Sequence, residues 1–313
     1  MSIISEVSRE LDMAEDSFRE QIRLARGKIK HIKIKKKNGK GFRRIVIPPW
    51  EFKIVQYWTI LNYLRDVKIH RSATAFHEGA SIRTNALCHR KGNYFVKMDL
   101  SDFFPSVGVD DFKNALYKYH PGFVWLEKEL SDSEFVDSMF HKGVCAIGFP
   151  ASPYIANICM IELDELIESK LKNNVERFGR FSYTRYADDL TISIERKGFK
   201  REVEGVVYEA VREASLKNIK VNKEKTKYGS KSGGSAFVTG MRICKDGHIT
   251  LHRKYKDHVR LLLSLYSKGK LKPEDKGKLL GHLNYCKSSD PEFYNKLVLK
   301  YFQSIERLRV SSG

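Results

Sequence analysis

Apolar residues recur at helical spacing along several long stretches of the chain. The spacing predicts helices over residues 3–26, 52–67, 150–172 and 201–216, across the region from about 110 to 143, and from 255 to the C-terminus. Pro153 suits the first turn of the third of these helices. Asp110 or Asp111 is predicted to cap the helix that begins near Val109.

Shorter stretches rich in strand-forming residues lie between the predicted helices. They predict strands over residues 94–98, on both sides of residues 187–189, at 220–222, over 236–243 and at 248–251. Residues 70–93 are mixed and polar and show no regular spacing. Strands mixed with helices, followed by a helical C-terminal end, predict an α+β fold.

The segment from about residue 28 to 48 combines two alternating strand patterns with dense positive charge. Nine residues from Lys28 to Arg44 are Lys or Arg, and none is acidic. Asn38-Gly39, between the two patterns, is the strongest short signal for a hairpin turn. A hairpin with basic residues on one face and at its tip predicts a clamp for phosphate groups.

The positive charge extends to the chain as a whole. The sequence holds 57 Lys and Arg against 38 Asp and Glu, a net charge of +19, and the stretch from Arg253 onward holds 14 against 6. A surplus of this size attracts polyanions, most commonly nucleic acid. A solvated basic surface without a partner is the alternative.

Composition also bears on the compartment. A length of 313 residues with 42% hydrophobic content predicts one or two globular domains. The five cysteines are odd in number and widely scattered, which favours reduced thiols and a cytoplasmic location. No apolar run approaches the roughly 20 residues of a membrane span, and the N-terminus does not resemble a signal peptide, so no membrane association is expected.

Three carboxylates are placed next to apolar strands. Asp188 and Asp189 lie at the tip of a predicted hairpin over residues 181–194, and Asp99 follows the strand over 94–98. If these strands are neighbours, the carboxylates meet at one edge and provide oxygen ligands for two hard divalent cations. Such a pair activates a 3′-hydroxyl and stabilises a leaving pyrophosphate. The alternatives are an Asp-rich turn and an Asp that caps a helix.

These segments resemble motifs of a known family. Asp99–Phe104 and Tyr186–Asp189 are similar, in order and separation, to motifs A and C of reverse transcriptases. Asn85–His89 and Val238–Gly240 are similar to the Asn-Ala-x-x-His and Val-Thr-Gly signatures of the bacterial retron enzymes. The resemblance runs from about residue 35 to the C-terminus.

The resemblance implies a right-hand polymerase with fingers, palm and thumb. Residues 1–98 would form an N-terminal helix and the fingers, with the basic hairpin at about 28–48. Residues 99–250 would form the palm, an antiparallel sheet that carries the three Asp residues, with a fingers insertion at about 110–150. Residues 251–313 would form a helical thumb that binds RNA.

The resemblance also implies roles for individual residues. The catalytic, metal-binding carboxylates would be Asp99, Asp188 and Asp189, with the backbone carbonyl of Leu100 as a further metal ligand. The nucleotide would contact Lys36, Arg43, Asp102, Phe104, Gly148 and Lys225. The RNA would contact Asn85, His89, Val238, Thr239, Gly240, Arg253, Lys254, Lys256 and Arg260.

The chemistry of four of these side chains suits the implied roles. A ring at Phe104 would leave no volume for a ribose 2′-hydroxyl. Arg43 offers a planar fork of donors to the triphosphate, and Lys36 offers a mobile point charge, a role that Lys35, Lys37 or Lys40 would also suit. Lys225 occupies the position of a candidate proton donor to pyrophosphate.

One segment departs from the family pattern. Ala146–Pro153 is similar to the family's Pro-Gln-Gly-x-Pro-x-Ser-Pro segment, but Ala146 and Ile147 replace Pro and Gln. Ile147 has no polar side chain to replace the contacts of the Gln. Those contacts are therefore expected from the backbone of Gly148 or from elsewhere.

The resemblance implies an RNA-directed DNA polymerase that uses two Mg²⁺ ions and deoxynucleoside triphosphates. It would copy part of a cognate structured non-coding RNA (msr-msd) into msDNA, primed from a guanosine 2′-hydroxyl, within an anti-phage retron system that includes a co-encoded effector protein. Two alternatives stay open. One is another bacterial reverse transcriptase of the group II intron-like or diversity-generating type, and the other is a catalytically inactive RNA-binding scaffold.

Overall fold

The N-terminal stretch forms two helices in the computed structural model, which describes residues 2–35, 41–123 and 125–310. Helix α1 spans Ile3–Glu10 and helix α2 spans Glu15–Ala25, so the single helix predicted over residues 3–26 is wrong. Asp12, between them, has a φ of 53°, which a right-handed helix does not allow.

The basic segment forms the predicted hairpin. Strand β1 (Lys30–Lys35) pairs antiparallel with β2 (Phe42–Ile47) in a regular register from Lys30–Ile47 to Lys35–Phe42. Most of its residues are exposed, and Val46 is the one buried position in β2. The turn predicted at Asn38-Gly39 lies outside the described residues.

A series of helices follows over the next 170 residues or so. They are α3 (Trp50–Asn62), α4 (Ile82–Cys88), α5 (Val109–Tyr119), α6 (Trp125–Glu129), α7 (Ser133–Met139), α8 (Ser152–Cys159), α9 (Ile161–Lys172), α10 (Val175–Phe178) and, after a strand pair, α11 (Lys200–Glu213). Helix α4 lies in a stretch for which we predicted no element, and the helix predicted over 150–172 is interrupted at Met160. Gly108, not Asp110 or Asp111, is the N-cap of α5, and Asp111 accepts a hydrogen bond from its backbone amide.

An antiparallel sheet lies at the centre of the molecule. Its strands are β3 (Tyr94–Ser101), β4 (Phe181–Tyr186), β5 (Asp189–Ile194), β6 (Lys220–Val221) and β7 (Lys227–Ser230), in the order β4-β5-β3-β6, with β7 also paired to β3. Strand β7 was not predicted. Strand β3 continues to Ser101, so Asp99 lies inside the strand and not after it.

The two faces of this sheet differ. Because alternate residues of a strand point to opposite faces, Met98, Leu190 and Ile192 share one face, and they belong to the larger hydrophobic core. Helices α9 and α11 cover that face by packing against β4 and β3. The opposite face carries Asp99 and Asp189, which are register partners.

The C-terminal part has its own core. A three-stranded sheet of β8 (Phe237–Val238), β9 (Met241–Ile243) and β10 (Ile249–Leu251) is followed by α12 (Arg253–Ser267), α13 (Lys276–Ser289) and α14 (Pro291–Val310). The strand predicted over 236–243 is therefore two strands joined by a turn at Thr239 and Gly240. Among the described residues, no helix combines the length and apolar character that crossing a membrane requires.

Candidate active site

Three carboxylates lie together at one end of the central sheet. Asp99 of β3 and Asp189 of β5 are directly paired, and Asp188 precedes Asp189 in the turn between β4 and β5. The backbone amide of Leu100 donates to the carbonyl of Asp188 at 2.9 Å, which holds that turn against β3. Ala187 adopts a φ of 57° so that the turn can close. The structure thus brings the three predicted residues together.

The carboxylates repel one another in a partly dehydrated site. Burial raises the pKa of Asp189 to about 6, and the neighbouring charges of Asp188 and Asp99 add to the effect. Burial likewise raises the pKa of Asp188, while the positive charges of Lys225 and Arg43 act in the opposite direction. Negative charge at this end of the sheet is therefore not fully balanced by the protein itself.

Lys225 is the closest basic partner of the site. Its Nζ donates to Oδ1 of Asp99 at 2.6 Å, and this bond raises the pKa of the lysine. Asn222, three residues earlier, donates its backbone amide to the carbonyl of Asp99 at 2.7 Å. The segment after β6 therefore binds Asp99 through both side chain and backbone.

The donor set fits hard divalent cations. All three side chains offer oxygen only, the donor that Mg²⁺ and Mn²⁺ prefer. No group of three or more His, Cys, Asp or Glu side chains in the described part of the chain is arranged as a ready metal site, and Asp99 is bonded to Lys225. A cation that binds Oδ1 of Asp99 must therefore replace Lys225 on that oxygen. The predicted role of the Leu100 carbonyl stays a prediction.

Phe104 lies five residues beyond Asp99 in a group of aromatic rings. Its half-buried ring has its centre 5.1 Å from that of Phe103 and 6.1 Å from that of Phe76. Phe76 adopts a φ of 62°, a conformation that bulky residues seldom take. Asp102 is exposed, and its carbonyl accepts hydrogen bonds from Ser106.

The segment that departs from the family pattern binds the basic hairpin. The backbone amide of Val46 donates to the carbonyl of Ile147 at 2.8 Å. Gly148 has a φ of 110°, and a Cβ there would lie 2.3 Å from the carbonyl oxygen of Val46. Arg43, on the same strand, is exposed and lowers the pKa of Asp188 through its charge. Lys36 lies outside the described residues, as do Lys37 and Lys40.

The two signature segments are largely inside the protein. Asn85, His89 and Val238 are buried, with exposed fractions of 1% or less. His89 is bonded to Ser193 and Thr184, and its burial lowers its pKa to about 3, so it is neutral. These three side chains present almost no surface to solvent in this structure, and their direct contact with RNA stays a prediction. Gly240 is exposed and Thr239 is half-buried.

The four predicted RNA-binding residues of α12 fall into two pairs. Arg253 and Lys254 are exposed at the start of the helix. Lys256 donates to Oγ1 of Thr250 at 2.8 Å and lies over the ring of Phe293, and the Arg260 guanidinium lies 4.9 Å from the centre of that ring. Lys256 and Arg260 thus also bind within the C-terminal part, while Arg253 and Lys254 face solvent.

A buried ion pair beneath the catalytic turn was missed in the sequence. Arg185 and Asp164 are both completely buried, with Nη2 and Oδ2 2.8 Å apart. Arg185 also exchanges backbone hydrogen bonds with residues 72–74, because its amide donates to Ser72 at 2.7 Å and its carbonyl accepts from Thr74 at 2.8 Å. A charged arginine in a strand whose other residues are all uncharged was the available signal for this pair.

Fold and site together define the class of protein. A sheet with three adjacent carboxylates, a basic hairpin beside them and a helical C-terminal unit are the palm, fingers and thumb of a right-hand nucleic acid polymerase. A telomerase from Candida albicans, solved in complex with a fragment of telomeric RNA, has a similar fold, with a TM-score of 0.50 at 12% identity over 94% of this chain and 61% of that chain.

Sequence comparison specifies the family. The family model described as "Reverse transcriptase (RNA-dependent DNA polymerase)" matches residues 34–282. The chain is 42% identical to the retron Ec73 reverse transcriptase of Escherichia coli, with 87% of each protein covered, and 31% identical to the retron Ec83 enzyme of E. coli, with 84% of each covered. The chain belongs to the reverse transcriptase family, among the bacterial retron enzymes. It is an RNA-directed DNA polymerase of a family that depends on divalent metal ions.

Proposed function

We propose that this retron reverse transcriptase polymerises DNA at the site formed by Asp99, Asp188 and Asp189. The observation that carries the proposal is the register pair Asp99–Asp189 with Asp188 beside it, three oxygen donors at one end of the palm sheet. We propose that they hold two Mg²⁺ ions, with the carbonyl of Leu100 as an additional donor. Such ions, when bound, activate the attacking hydroxyl and stabilise the leaving pyrophosphate.

Other residues of the chain bind and orient the nucleotide in this proposal. Arg43, with Lys36 or a neighbouring lysine, binds the triphosphate. Phe104 excludes a 2′-hydroxyl from the sugar site, and Asp102 and Gly148 border the nucleotide. Lys225, whose pKa is raised by Asp99, retains its proton and gives it to pyrophosphate.

The identity with retron enzymes supports a proposal for the partner. RNA is the template, and we propose that a single structured non-coding RNA is both template and primer, with synthesis starting at a guanosine 2′-hydroxyl and ending in msDNA. The exposed Arg253 and Lys254 contact this RNA. The complex acts in the cytoplasm with a co-encoded effector in defence against phage, a location that suits five free cysteines.

The catalytic proposal is tested by Asp188→Asn. This change keeps the size of the side chain and removes the charge, so DNA synthesis on the cognate RNA is expected to fall below detection while RNA affinity stays unchanged. Asp66→Asn is the matched control, because Asp66 is exposed and lies outside the strands that carry the three carboxylates. This variant should synthesise DNA at the wild-type rate. Undiminished synthesis by Asp188→Asn would refute the site. Absence of synthesis by the wild-type protein itself would leave the RNA-binding scaffold as the better description.

The partner proposal has its own measurement. Nucleic acid that copurifies with the protein is sequenced with and without prior treatment by a debranching enzyme. A branched RNA–DNA molecule whose branch is a guanosine supports priming from a 2′-hydroxyl. DNA that is linear in both samples would contradict it without affecting the assignment of the carboxylates.

A further inference from the structure

The two signature segments meet in one chain of buried and partly buried hydrogen bonds. The chain, which we call the polar chain, consists of the side chains of Ser193, His89, Thr184, Asn85 and Thr239 and ends on the carbonyl of Ile82. The successive distances are 2.8 Å for Ser193–His89, 2.8 Å for His89–Thr184, 2.6 Å for Thr184–Asn85, 3.3 Å for Asn85–Thr239 and 3.1 Å for Thr239–Ile82. It joins α4 to the palm at one end and to the β8–β9 turn at the other.

The donor and the acceptor of every hydrogen bond in the polar chain are defined. The Ile82 carbonyl only accepts, so the Thr239 hydroxyl donates to it and must accept from Nδ2 of Asn85. Oδ1 of Asn85 then accepts the one proton of Thr184. Thr184 therefore accepts from Nε2–H of His89, and Nδ1 of that neutral ring accepts from the Ser193 hydroxyl. Hydrogen bonds that run in one direction polarise each other, so the chain acts as a unit.

The polar chain lies on the face of the palm that carries the catalytic carboxylates. Thr184 and Thr191 form the pair next to Tyr186–Asp189 on that face, two residues or about 7 Å along the strands. Phe95, which is paired with Ser193 on the same face, packs in the core of the C-terminal part together with Val238. The C-terminal part thus packs on this face of the palm, four residues along the strands from the carboxylates.

The far end of the polar chain holds a strained turn. Thr239 and Gly240 have φ values of 45° and 85°, which the turn of a two-residue β-hairpin requires at both positions. A β-branched residue rarely adopts positive φ, and Asn is the usual residue at this position of such a turn. The turn alone therefore does not explain a threonine, whereas the two hydrogen bonds of its hydroxyl do.

We propose that Asn85 and Thr239 are positioning residues for polymerisation, which set the height of the Thr239–Gly240 turn above the palm. The exposed Gly240 then supports the end of the DNA strand beside the carboxylates. This rests on the proposed catalytic site. A displacement of about 1 Å is enough to cost up to about a hundredfold in rate when it misplaces a reacting group. The signature segments thus act on the chemistry through the position of the turn and not through direct contact of Asn85 and His89 with RNA.

The test compares three variants at one position. Thr239→Ser keeps the hydroxyl and is expected to stay within about twofold of wild type. Thr239→Val removes both hydrogen bonds, and Thr239→Asn suits the turn but not the polar chain; both are expected to lower kcat by about tenfold or more, with unchanged KM for the nucleotide and unchanged RNA affinity. Thr239→Asn should unfold at a temperature no lower than wild type, which excludes misfolding as the cause.

Two outcomes would overturn the proposal. If Thr239→Asn is stable and fully active, the threonine hydroxyl has no positioning role. If Thr239→Val loses RNA affinity in proportion to its loss of synthesis, the turn recognises RNA directly. Asp188→Asn is measured in parallel: synthesis by wild type and none by Asp188→Asn upholds the catalytic site whatever the Thr239 variants do.

The polar chain also predicts non-additivity. Asn85→Ala and Thr239→Val each break the same link, so the double variant is expected to be no slower than the slower single variant, within about twofold. If the losses of kcat in the two single variants multiply in the double variant, the two residues act separately, which would contradict their coupling through the polar chain.

Discussion

Lys225 Nζ and Asp99 Oδ1 are 2.6 Å apart, so the lysine occupies a carboxylate that the proposed metal ions need. The Asp99 side chain is largely buried, whereas the Lys225 side chain is about half exposed. The lysine is therefore free to move into solvent or towards a bound triphosphate when a cation takes its place. The ion pair with Lys225 balances the charge of Asp99 as long as no metal ion is bound there.

Lys225→Met is expected to strengthen divalent cation binding. Removal of the competing ammonium group frees Asp99, and we expect the affinity for Mn²⁺ to rise by about three- to tenfold, since each tenfold corresponds to about 1.4 kcal/mol. Calorimetric titration of Mn²⁺ into the protein measures this directly. Lys223→Met, on the same short turn but over the ring of Tyr208, is the control. Equal affinity in wild type and Lys225→Met would contradict the competition.

Asp189→Asn is expected to stabilise the metal-free protein at neutral pH. The pKa of Asp189 is raised from 3.8 to about 6 by burial and by its acidic neighbours, so the folded state favours the protonated form. Its contribution to stability is present in full below about pH 4 and is lost as the pH rises through about 6. The asparagine variant lacks this loss and should be more stable at pH 7.5. Because Asp189 is partly open to solvent, which screens its charge, we expect only about 1 kcal/mol.

Urea unfolding of wild type and Asp189→Asn in EDTA at pH 4.5 and 7.5 measures this difference. The variant should exceed wild type at pH 7.5 and lose most of its advantage at pH 4.5. Mg²⁺ at pH 7.5 should stabilise wild type more than the variant. An advantage that is equal at both pH values would show that ionisation of Asp189 does not destabilise the folded protein.

Gly148→Ala is expected to loosen the basic hairpin. A Cβ at Gly148 would meet the carbonyl of Val46 at 2.3 Å, and the φ of 110° is unfavourable for alanine. We expect KM for deoxynucleotides to rise about tenfold, since the hairpin binds the triphosphate in our proposal. Gly205→Ala in α11, where an added methyl group would meet no atom within 4 Å, is the control and should stabilise the fold by up to about 1 kcal/mol. An unchanged KM in Gly148→Ala would separate the hairpin from nucleotide binding.

Phe104→Ala is expected to admit ribonucleotides. Loss of the ring opens volume beneath the sugar, so incorporation of ribonucleotides relative to deoxynucleotides should rise by about tenfold or more. Single-nucleotide primer extension with both substrates measures the ratio. Phe104→Tyr, which keeps the ring, should retain the preference for deoxynucleotides. Unchanged discrimination in Phe104→Ala would dismiss Phe104 as the residue that selects the sugar.

The sequence predicted the parts of the fold that depend on local pattern. The strands that carry Asp99 and Asp188-Asp189 were visible as apolar runs, and their pairing follows from the need to place like-charged residues around a common cation. The basic hairpin followed from alternation on both sides of Asn38-Gly39. Each of these signals lies within about ten residues of sequence, which is why spacing alone revealed it.

Features that depend on distant residues were missed or misassigned. A structural or an RNA-facing hydrogen bond was expected for His89, but nothing near it in the sequence indicates that Thr184 and Ser193 are the partners of its ring. Lys225 was placed near the reaction, but its ion pair with Asp99 depends on β6 pairing with β3. Thr239 was read as a strand residue because its positive φ is unusual for threonine.

The backbone pairing of Arg185 with Ser72 and Thr74 joins the segment that leads to Phe76 to the same strand that ends at the catalytic turn. In our proposal, the aromatic side chains that border the sugar are thereby anchored to the central sheet, whereas the basic hairpin binds the triphosphate. If so, sugar selection and triphosphate binding are separable traits, and selection or engineering is able to alter one and leave the other intact.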